Sequence, residues 1–160
     1  MRKRRRTRPR IYWDTSCFIA LLERKPTEDP QLVRALEQKY HEMLSGQVEI
    51  VSCSVLITEL LGEPAKRFLD ELRKYPTFEM IETVSPVYEL ARSLRERCKQ
   101  QGVHKLKTPD ALHLAAGILS KSDEFWTLDK RLLNAGSVIT EVKICLPYIE
   151  QATLDLEFEP

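Results

Sequence analysis

The chain has 160 residues, of which 42% are hydrophobic and 31% are charged, values that are ordinary for a single globular domain. No apolar run approaches the length of about 20 residues that a membrane-spanning helix needs, and the basic start is not followed by the apolar segment of a secretory signal. The four cysteines form no CxxC pair and only three histidines occur, which argues against a zinc site. We therefore expect reduced, mostly buried thiols in a cytoplasmic protein with no membrane partner.

The net charge of +1 hides an uneven distribution. Seven basic residues lie in the first ten positions, MRKRRRTRPR, which leaves 18 basic against 24 acidic residues in the rest of the chain. Two interpretations of this arm are open: it binds an anionic partner, with Arg4, Arg5 and Arg6 contacting nucleic acid, or it is a disordered terminus. The predicted organisation is a basic arm at 1–10, one domain at 11–148 and an acidic tail at 149–160.

Apolar patterns and capping residues divide the chain into alternating strands and helices. The predicted strands are β-prone apolar runs at 11–13, 48–53, 77–83 and 124–128, with one or two more after residue 136. The predicted helices begin at a capping residue or a proline and cover 15–22, 29–45, 54–62, 64–75, 85–101, 108–119 and 130–134. This alternation predicts an α/β sandwich with a central, mainly parallel sheet, in which 77–83 is an edge strand.

Two acidic residues stand where predicted strands end. Asp14 follows the first strand, and Asp129 follows the EFWTL strand. The carboxyl ends of parallel strands meet at one edge of a sheet, where ligands bind. Each residue alone could instead be a loop or helix-capping residue.

Two further acids lie on predicted helices. At 3.6 residues per turn, Glu59 projects between Val55 and Leu56, inside an apolar arc, unless this end of the helix emerges into water. Asp110 lies in the first turn of the helix that Thr108 is predicted to cap, where a carboxylate also suits the helix dipole. Four carboxylates gather only where a cation offsets their repulsion, and Mg²⁺ or Mn²⁺ prefers such oxygen ligands.

Four segments together resemble the motifs of PIN-domain nucleases, above all the toxin ribonucleases of the VapC type: IYWDTSCFIALL, VSCSVLITELL, TPDALHLAAGIL and FWTLDKRLL. Their order and spacing match over residues 11–133. The resemblance implies a three-layer α/β fold, with a parallel sheet between helices. It assigns the catalytic, metal-binding acids to Asp14, Glu59, Asp110 and Asp129, and supporting hydroxyls to Ser16 and Thr127.

The resemblance also implies an activity, Mg²⁺-dependent cleavage of RNA by a homodimer that an antitoxin protein silences. Two alternatives remain: a PIN-like scaffold that binds RNA or a protein without cleavage, and an RNA-processing nuclease that is not a toxin. A phosphatase with Asp14 as nucleophile is disfavoured, because it needs a second aspartate where this chain has Ser16. His113 is interpreted as a packing residue, with metal ligation as the alternative. Arg92 and Arg95 are interpreted as a solvated helix face, with phosphate contact as the alternative.

Overall fold

The computed structural model describes residues 8–103 and 105–150. Within these ranges the strands are β1 Arg10–Trp13, β2 Glu49–Cys53, β3 Phe78–Ile81, β4 Glu124–Trp126 and β5 Lys143–Cys145. The helices are α1 Thr15–Glu23, α2 Pro30–Leu44, α3 Val55–Glu59, α4 Glu63–Leu72, α5 Ser85–Gln100, α6 Thr108–Leu119 and α7 Lys130–Ala135.

All strand pairs of the sheet are parallel, and the strand order is β3-β2-β1-β4-β5. The chain runs from the central β1 outward to β3, and then crosses back to β4 on the other side of β1. A crevice forms at such a reversal, beyond the carboxyl ends of the two strands between which the order reverses. The fold therefore places a crevice at the ends of β1 and β4, and it confirms the predicted parallel sheet with β3 at its edge.

The apolar strands are covered on both faces, which gives three layers. Tyr12 of β1 points into the cluster formed with α5, α6 and α7. Its neighbours Ile11 and Trp13 point to the opposite face, where they pack with α1, α2 and α4. Burial on both faces explains why β1 and β2 are continuous apolar runs rather than alternating ones.

The first strand begins one residue earlier than predicted, at Arg10. The Arg10 guanidinium forms salt bridges with Glu49 at 2.9 Å and Glu79 at 2.6 Å, and its backbone N–H donates to Asp123. These acids lie at the amino-terminal edge of the sheet and hold Arg10 there, so it belongs to the domain and not to the predicted arm. The predicted contacts of Arg4, Arg5 and Arg6 lie outside the described residues, as do residues 151–160 of the tail predicted at 149–160.

Some helix ends differ from the predictions, among them that of the helix predicted at 64–75, which covers Glu63–Leu72, and the capping residue of α6 differs too. The helix predicted at 54–62 ends at Glu59, because Leu60 is extended and Gly62 adopts a φ of +94° that favours glycine. Thr108 was predicted to cap α6, but the capping position is Lys107, whose side chain makes no capping hydrogen bond. Thr108 Oγ1 instead accepts a hydrogen bond from Arg95 Nη1.

The four cysteines are free thiols, and all but the half-buried Cys145 are buried, as predicted. In the described ranges, no helix combines the length and the apolar character needed to cross a bilayer.

Candidate active site

The Asp14 carboxylate lies at the carboxyl end of β1, where only 4% of the residue is exposed. Strand register sets its neighbour: Trp13 pairs with Trp126 of β4, which brings Thr127 beside Asp14. Thr127 Oγ1 donates to Asp14 Oδ2 at 2.5 Å, and Ser16 Oγ donates to Asp14 Oδ1 at 2.5 Å. Both predicted supporting hydroxyls therefore contact the first acid.

Backbone N–H groups of the loop after β4 fix the direction of these two hydroxyls. Leu128 N donates to Ser16 Oγ, and Asp129 N donates to Thr127 Oγ1, both at 3.0 Å. Each hydroxyl oxygen already accepts a hydrogen bond, so its own proton points to Asp14. The arrangement joins the start of α1 to the loop after β4, and it presents two donors to one carboxylate.

Two opposing effects set the charge state of Asp14. Burial raises its pKa above the ordinary value of 3.8, while the hydrogen bonds from Ser16 and Thr127 lower it, and the net direction is upward. The hydroxyls thus offset part of the cost of keeping an ionised carboxylate in a buried position.

Glu59 is held at the site by a buried chain of polar groups. Its Oε1 accepts hydrogen bonds from Thr15 Oγ1 and His113 Nε2, each at 2.7 Å. The other ring nitrogen, His113 Nδ1, lies 2.8 Å from the Tyr12 hydroxyl. The hydrogen bond from His113 lowers the pKa of Glu59 against the effect of burial, so this carboxylate is ionised at neutral pH.

Sequence reasoning missed this polar chain. His113 is 2% exposed and lies on the face of α6 that packs on the sheet, so the predicted packing role is correct but incomplete. Burial lowers its pKa, yet the hydrogen bonds to Cys53 and Glu59 raise it above the ordinary value of 6.5. The sequence did contain one indication of this polar chain: His113 and Tyr12 are polar residues within otherwise apolar segments.

Asp110 occupies the first turn of α6, half-buried, and no described residue forms a hydrogen bond or salt bridge with its carboxylate. Burial raises its pKa above 3.8, and the charges of Asp129, Asp14 and Glu59 raise it further, with His113 acting in the opposite direction. The charges of the other three predicted acids therefore act on Asp110 and disfavour its ionised form.

Asp129 is the acid with the clearest structural role. Its Oδ1 accepts from Arg131 N at 2.9 Å and caps α7, and the Arg131 guanidinium lies 3.5 Å from the same oxygen. The prediction that Asp129 could be a helix-capping residue is therefore correct. The cap uses Oδ1, so the other carboxylate oxygen is not engaged by it.

The donor set is suited to a hard divalent cation, because it consists of carboxylate oxygens whose mutual repulsion a cation would offset. Across the described ranges, however, no three His, Cys, Asp or Glu side chains lie together as a formed metal site. One reason is that both oxygens of Asp14 face hydroxyl donors, and Oε1 of Glu59 faces two further donors. Ligation therefore requires side-chain movement from the described positions.

A parallel five-stranded sheet with acids at its central crevice is the architecture of the PIN domain, and the family model for the PIN domain matches residues 11–137. The chain belongs to the PIN-domain family. Among curated protein sequences, none matches the chain significantly.

Several solved structures have a similar fold, and one of them is a toxin–antitoxin complex. VapBC2 from Rickettsia felis, bound to a promoter DNA fragment, aligns with a TM-score of 0.59 at 13% identity, over 86% of this chain and 98% of that chain. FitAcB from Neisseria gonorrhoeae aligns with a TM-score of 0.57 at 15% identity, over 86% and 97%. A toxin–antitoxin complex from Klebsiella pneumoniae gives 0.54 at 24% identity, over 86% and 98%. The predicted PIN-like fold is confirmed.

Proposed function

We propose that this protein is a metal-dependent endoribonuclease and the toxin of a type II toxin–antitoxin pair. The observation that carries the proposal is the placement of acids near Asp14 at the carboxyl end of β1: Asp14 itself is buried, and the half-buried Asp110 has no described hydrogen-bond partner and is exposed to the charges of the other three. Carboxylates under such mutual repulsion cost stability, and phosphodiester hydrolysis with a divalent cation is a chemistry that uses them.

In this proposal Asp14, Glu59, Asp110 and Asp129 hold Mg²⁺, with Mn²⁺ as a substitute. When bound to these residues, such an ion would supply Lewis-acid chemistry, that is, charge stabilisation at the scissile phosphate and a lower pKa for a water nucleophile. The hydrogen bonds from Ser16 and Thr127 favour the ionised form of Asp14 against the effect of burial, and they orient its carboxylate.

The remaining groups orient or balance the other acids. His113 and Thr15 fix one oxygen of Glu59, which leaves its second oxygen for a ligand. Arg131 balances part of the charge of Asp129. Together these contacts hold the carboxylates at the carboxyl end of the sheet, from where side-chain movement would bring them to a bound cation.

Structural similarity to two solved structures supports the toxin assignment. The Klebsiella structure is a toxin–antitoxin complex, and the VapBC2 structure is bound to promoter DNA. We infer that this protein has an antitoxin partner, forms a homodimer and works in the cytoplasm. A nuclease outside toxin–antitoxin systems and a non-cleaving scaffold are the alternatives.

Cleavage of single-stranded RNA by the purified protein, with Mg²⁺ and with EDTA, tests the enzymatic part. Asp110→Asn removes one negative ligand at constant size, and Asp70→Asn on the exposed face of α4 is the matched control. We expect cleavage that needs Mg²⁺, is lost in Asp110→Asn and persists in Asp70→Asn. Cleavage in EDTA, or full activity of Asp110→Asn, would overturn the mechanism, while RNA binding without cleavage would identify the scaffold.

Expression in bacteria tests the toxin part separately. A toxin arrests growth, the Asp110→Asn variant does not, and co-expression of a small neighbouring gene product restores growth. RNA cleavage without growth arrest would support the RNA-processing alternative instead.

A further inference from the structure

A groove of about 850 Å³ lies between α5 and the residues at 102–103 and 105–108 that precede and begin α6. Its floor is apolar and includes Leu106 and Leu112, and its upper walls carry basic side chains. Thr108, which lines the groove, and Asp110 both lie in the first turn of α6, so the groove and this acid are at the same end of that helix.

One face of α5 forms a continuous wall of this groove. Tyr88, Arg92, Arg95 and Lys99 recur at intervals of four, three and four residues, the spacing of one helical face. At 1.5 Å per residue this stripe is about 16 Å long. It borders the face of α5 that packs into the core, so the helix turns its cationic side chains to the groove and its apolar ones to the sheet.

The groove carries four cations, because Lys105 faces the stripe from the other wall, against a single acid, Glu96. The Arg92–Glu96 pair is exposed on both sides and therefore weak, so Arg92 can exchange this partner for a phosphate. Arg95 is fixed in place, since its Nε donates to the Leu106 carbonyl and its Nη1 to Thr108 Oγ1.

Such a concentration of positive charge is unusual for this chain, since the residues after position 10 include 18 basic and 24 acidic side chains. The acidic crevice repels a polyanion, so an RNA strand needs a nearby cationic surface to reach it. Tyr88 adds an aromatic ring that is 51% exposed, and unpaired bases stack on such rings.

We propose that this groove is the path of single-stranded RNA to the acidic site, an inference that rests on the proposed nuclease function and names where its substrate binds. The phosphates contact Arg92, Lys99 and Lys105, and one base stacks on Tyr88. A base-paired strand cannot offer that base, so the groove selects unpaired RNA. Arg92 thus has the phosphate-contacting role that the sequence left as the alternative.

Binding of a fluorescent single-stranded RNA, measured by anisotropy in metal-free Asp110→Asn protein, tests the groove without cleavage. The test variant adds Arg92→Ala and Lys99→Ala. The matched control adds Arg67→Ala on the exposed face of α4 and Arg73→Ala at the exposed residue that follows this helix. Each lost phosphate contact lowers the slope of log Kd against log salt by about 0.7. If the variant and the parent bind equally at 1 M salt, each lost contact therefore weakens binding about fivefold at 0.1 M salt. We therefore expect the test variant to bind about 25-fold more weakly at 0.1 M salt, with a slope lower by about 1.4.

Stacking is tested by a second pair of variants. Tyr88→Ala should weaken binding of single-stranded RNA at least about fivefold, the lower end for one stacked base, and should leave duplex binding unchanged. Tyr88→Phe keeps the ring and should bind like the parent.

Three results would overturn the groove assignment: unchanged affinity in the Arg92 and Lys99 variant, an equal loss in the α4 control, or equal affinity for polyglutamate of the same charge. Failure of the nuclease proposal is separate, because it is read from cleavage by the protein with Asp110 intact. If RNA binding depends on the groove but no cleavage occurs, only the nuclease proposal is refuted. If cleavage occurs and the groove variant has an unchanged KM, only the proposal that RNA binds in the groove is refuted.

Discussion

Replacing Thr127 by valine removes one hydroxyl from the interior of the site at nearly constant volume. Thr127 is 0% exposed, and its hydroxyl makes two hydrogen bonds, one to the Asp14 carboxylate and one from Asp129 N. Asp14 is 4% exposed, so water cannot replace the lost donor. A hydrogen bond to a charged group contributes about 1.5–3 kcal/mol and a neutral one about 0.5–1.5 kcal/mol, which predicts a loss of about 3 kcal/mol.

Chemical denaturation measures this loss directly, and calorimetry measures it as a shift of Tm. For a chain of 160 residues each kcal/mol lowers Tm by about 2–4 °C, so Thr127→Val should melt about 6–12 °C lower. Thr127→Ser keeps the hydroxyl and should cost only about 1 kcal/mol, for the lost methyl group. In the double variant with Asp14→Asn the cost of the valine should fall, because its charged partner is gone.

RNA cleavage should depend on whether residue 127 carries a hydroxyl group, and not on the free energy of unfolding of the variant. Thr127→Ser should retain activity, whereas Thr127→Val, assayed well below its Tm, should lose most of it because Asp14 is no longer oriented. If the valine and serine variants are equally stable and equally active, the hydroxyl does not hold Asp14 and the reasoning fails.

Four other substitutions or deletions test separate features. Asp110→Asn should raise Tm in metal-free buffer at pH 7, because burial and neighbouring carboxylates raise the pKa of Asp110 and disfavour its charge; a lower Tm would contradict this. Gly117→Ala gains about 1 kcal/mol of helix propensity, but its new Cβ lies 3.0 Å from Phe125 Cδ2 in a buried ring stack. We therefore expect the free energy of unfolding to fall by about 1 kcal/mol in chemical denaturation. A rise would show that the neighbouring rings move to accommodate the methyl group. Burial raises the pKa of Glu124 but three hydrogen bonds lower it below 4.5, so its contribution to stability is present above pH 4.5 and is lost as pH falls through the folded pKa. Glu124→Gln should therefore lose unfolding free energy less steeply in acid than the parent, and parallel curves would exclude this role. Deletion of residues 2–7, which leaves the ion pairs of Arg10 intact, should weaken RNA binding and reduce its salt dependence without changing single-turnover cleavage at saturating RNA; unchanged affinity would exclude the arm as an RNA contact.

The sheet and the positions of two acids could be predicted from the sequence because they depend on local patterns and on one topological rule. The apolar runs at β1 and β2 indicate buried strands, and the alternation with helices indicates parallel pairing. Parallel strands share one carboxyl edge, so Asp14 and Asp129 had to lie near each other. No knowledge of side-chain packing was needed for either inference.

Contacts that cross the fold could not be predicted in this way. The hydrogen bonds of His113 to Glu59 and Tyr12 join three segments whose relative rotation is set by packing, and nothing local distinguishes such a histidine from an ordinary core residue. Arg10 is similar: its sequence neighbours are basic, and its acidic partners come from β2 and β3. The capping role of Thr108 failed for the same reason, because Arg95 from α5 competes for its hydroxyl.

The hydrogen bond between Asp14 and Thr127 joins residues 113 positions apart in sequence. During synthesis from the N-terminus, the chain carries three of its four acids before β4 exists, and β1 has no neighbour on that side. Neither the Thr127 hydroxyl nor Asp129 is present until that strand has left the ribosome, so Asp14 of a nascent chain lacks one of its two hydroxyl donors. Under the proposed function, a chain truncated before residue 124 should therefore neither cleave RNA nor arrest growth.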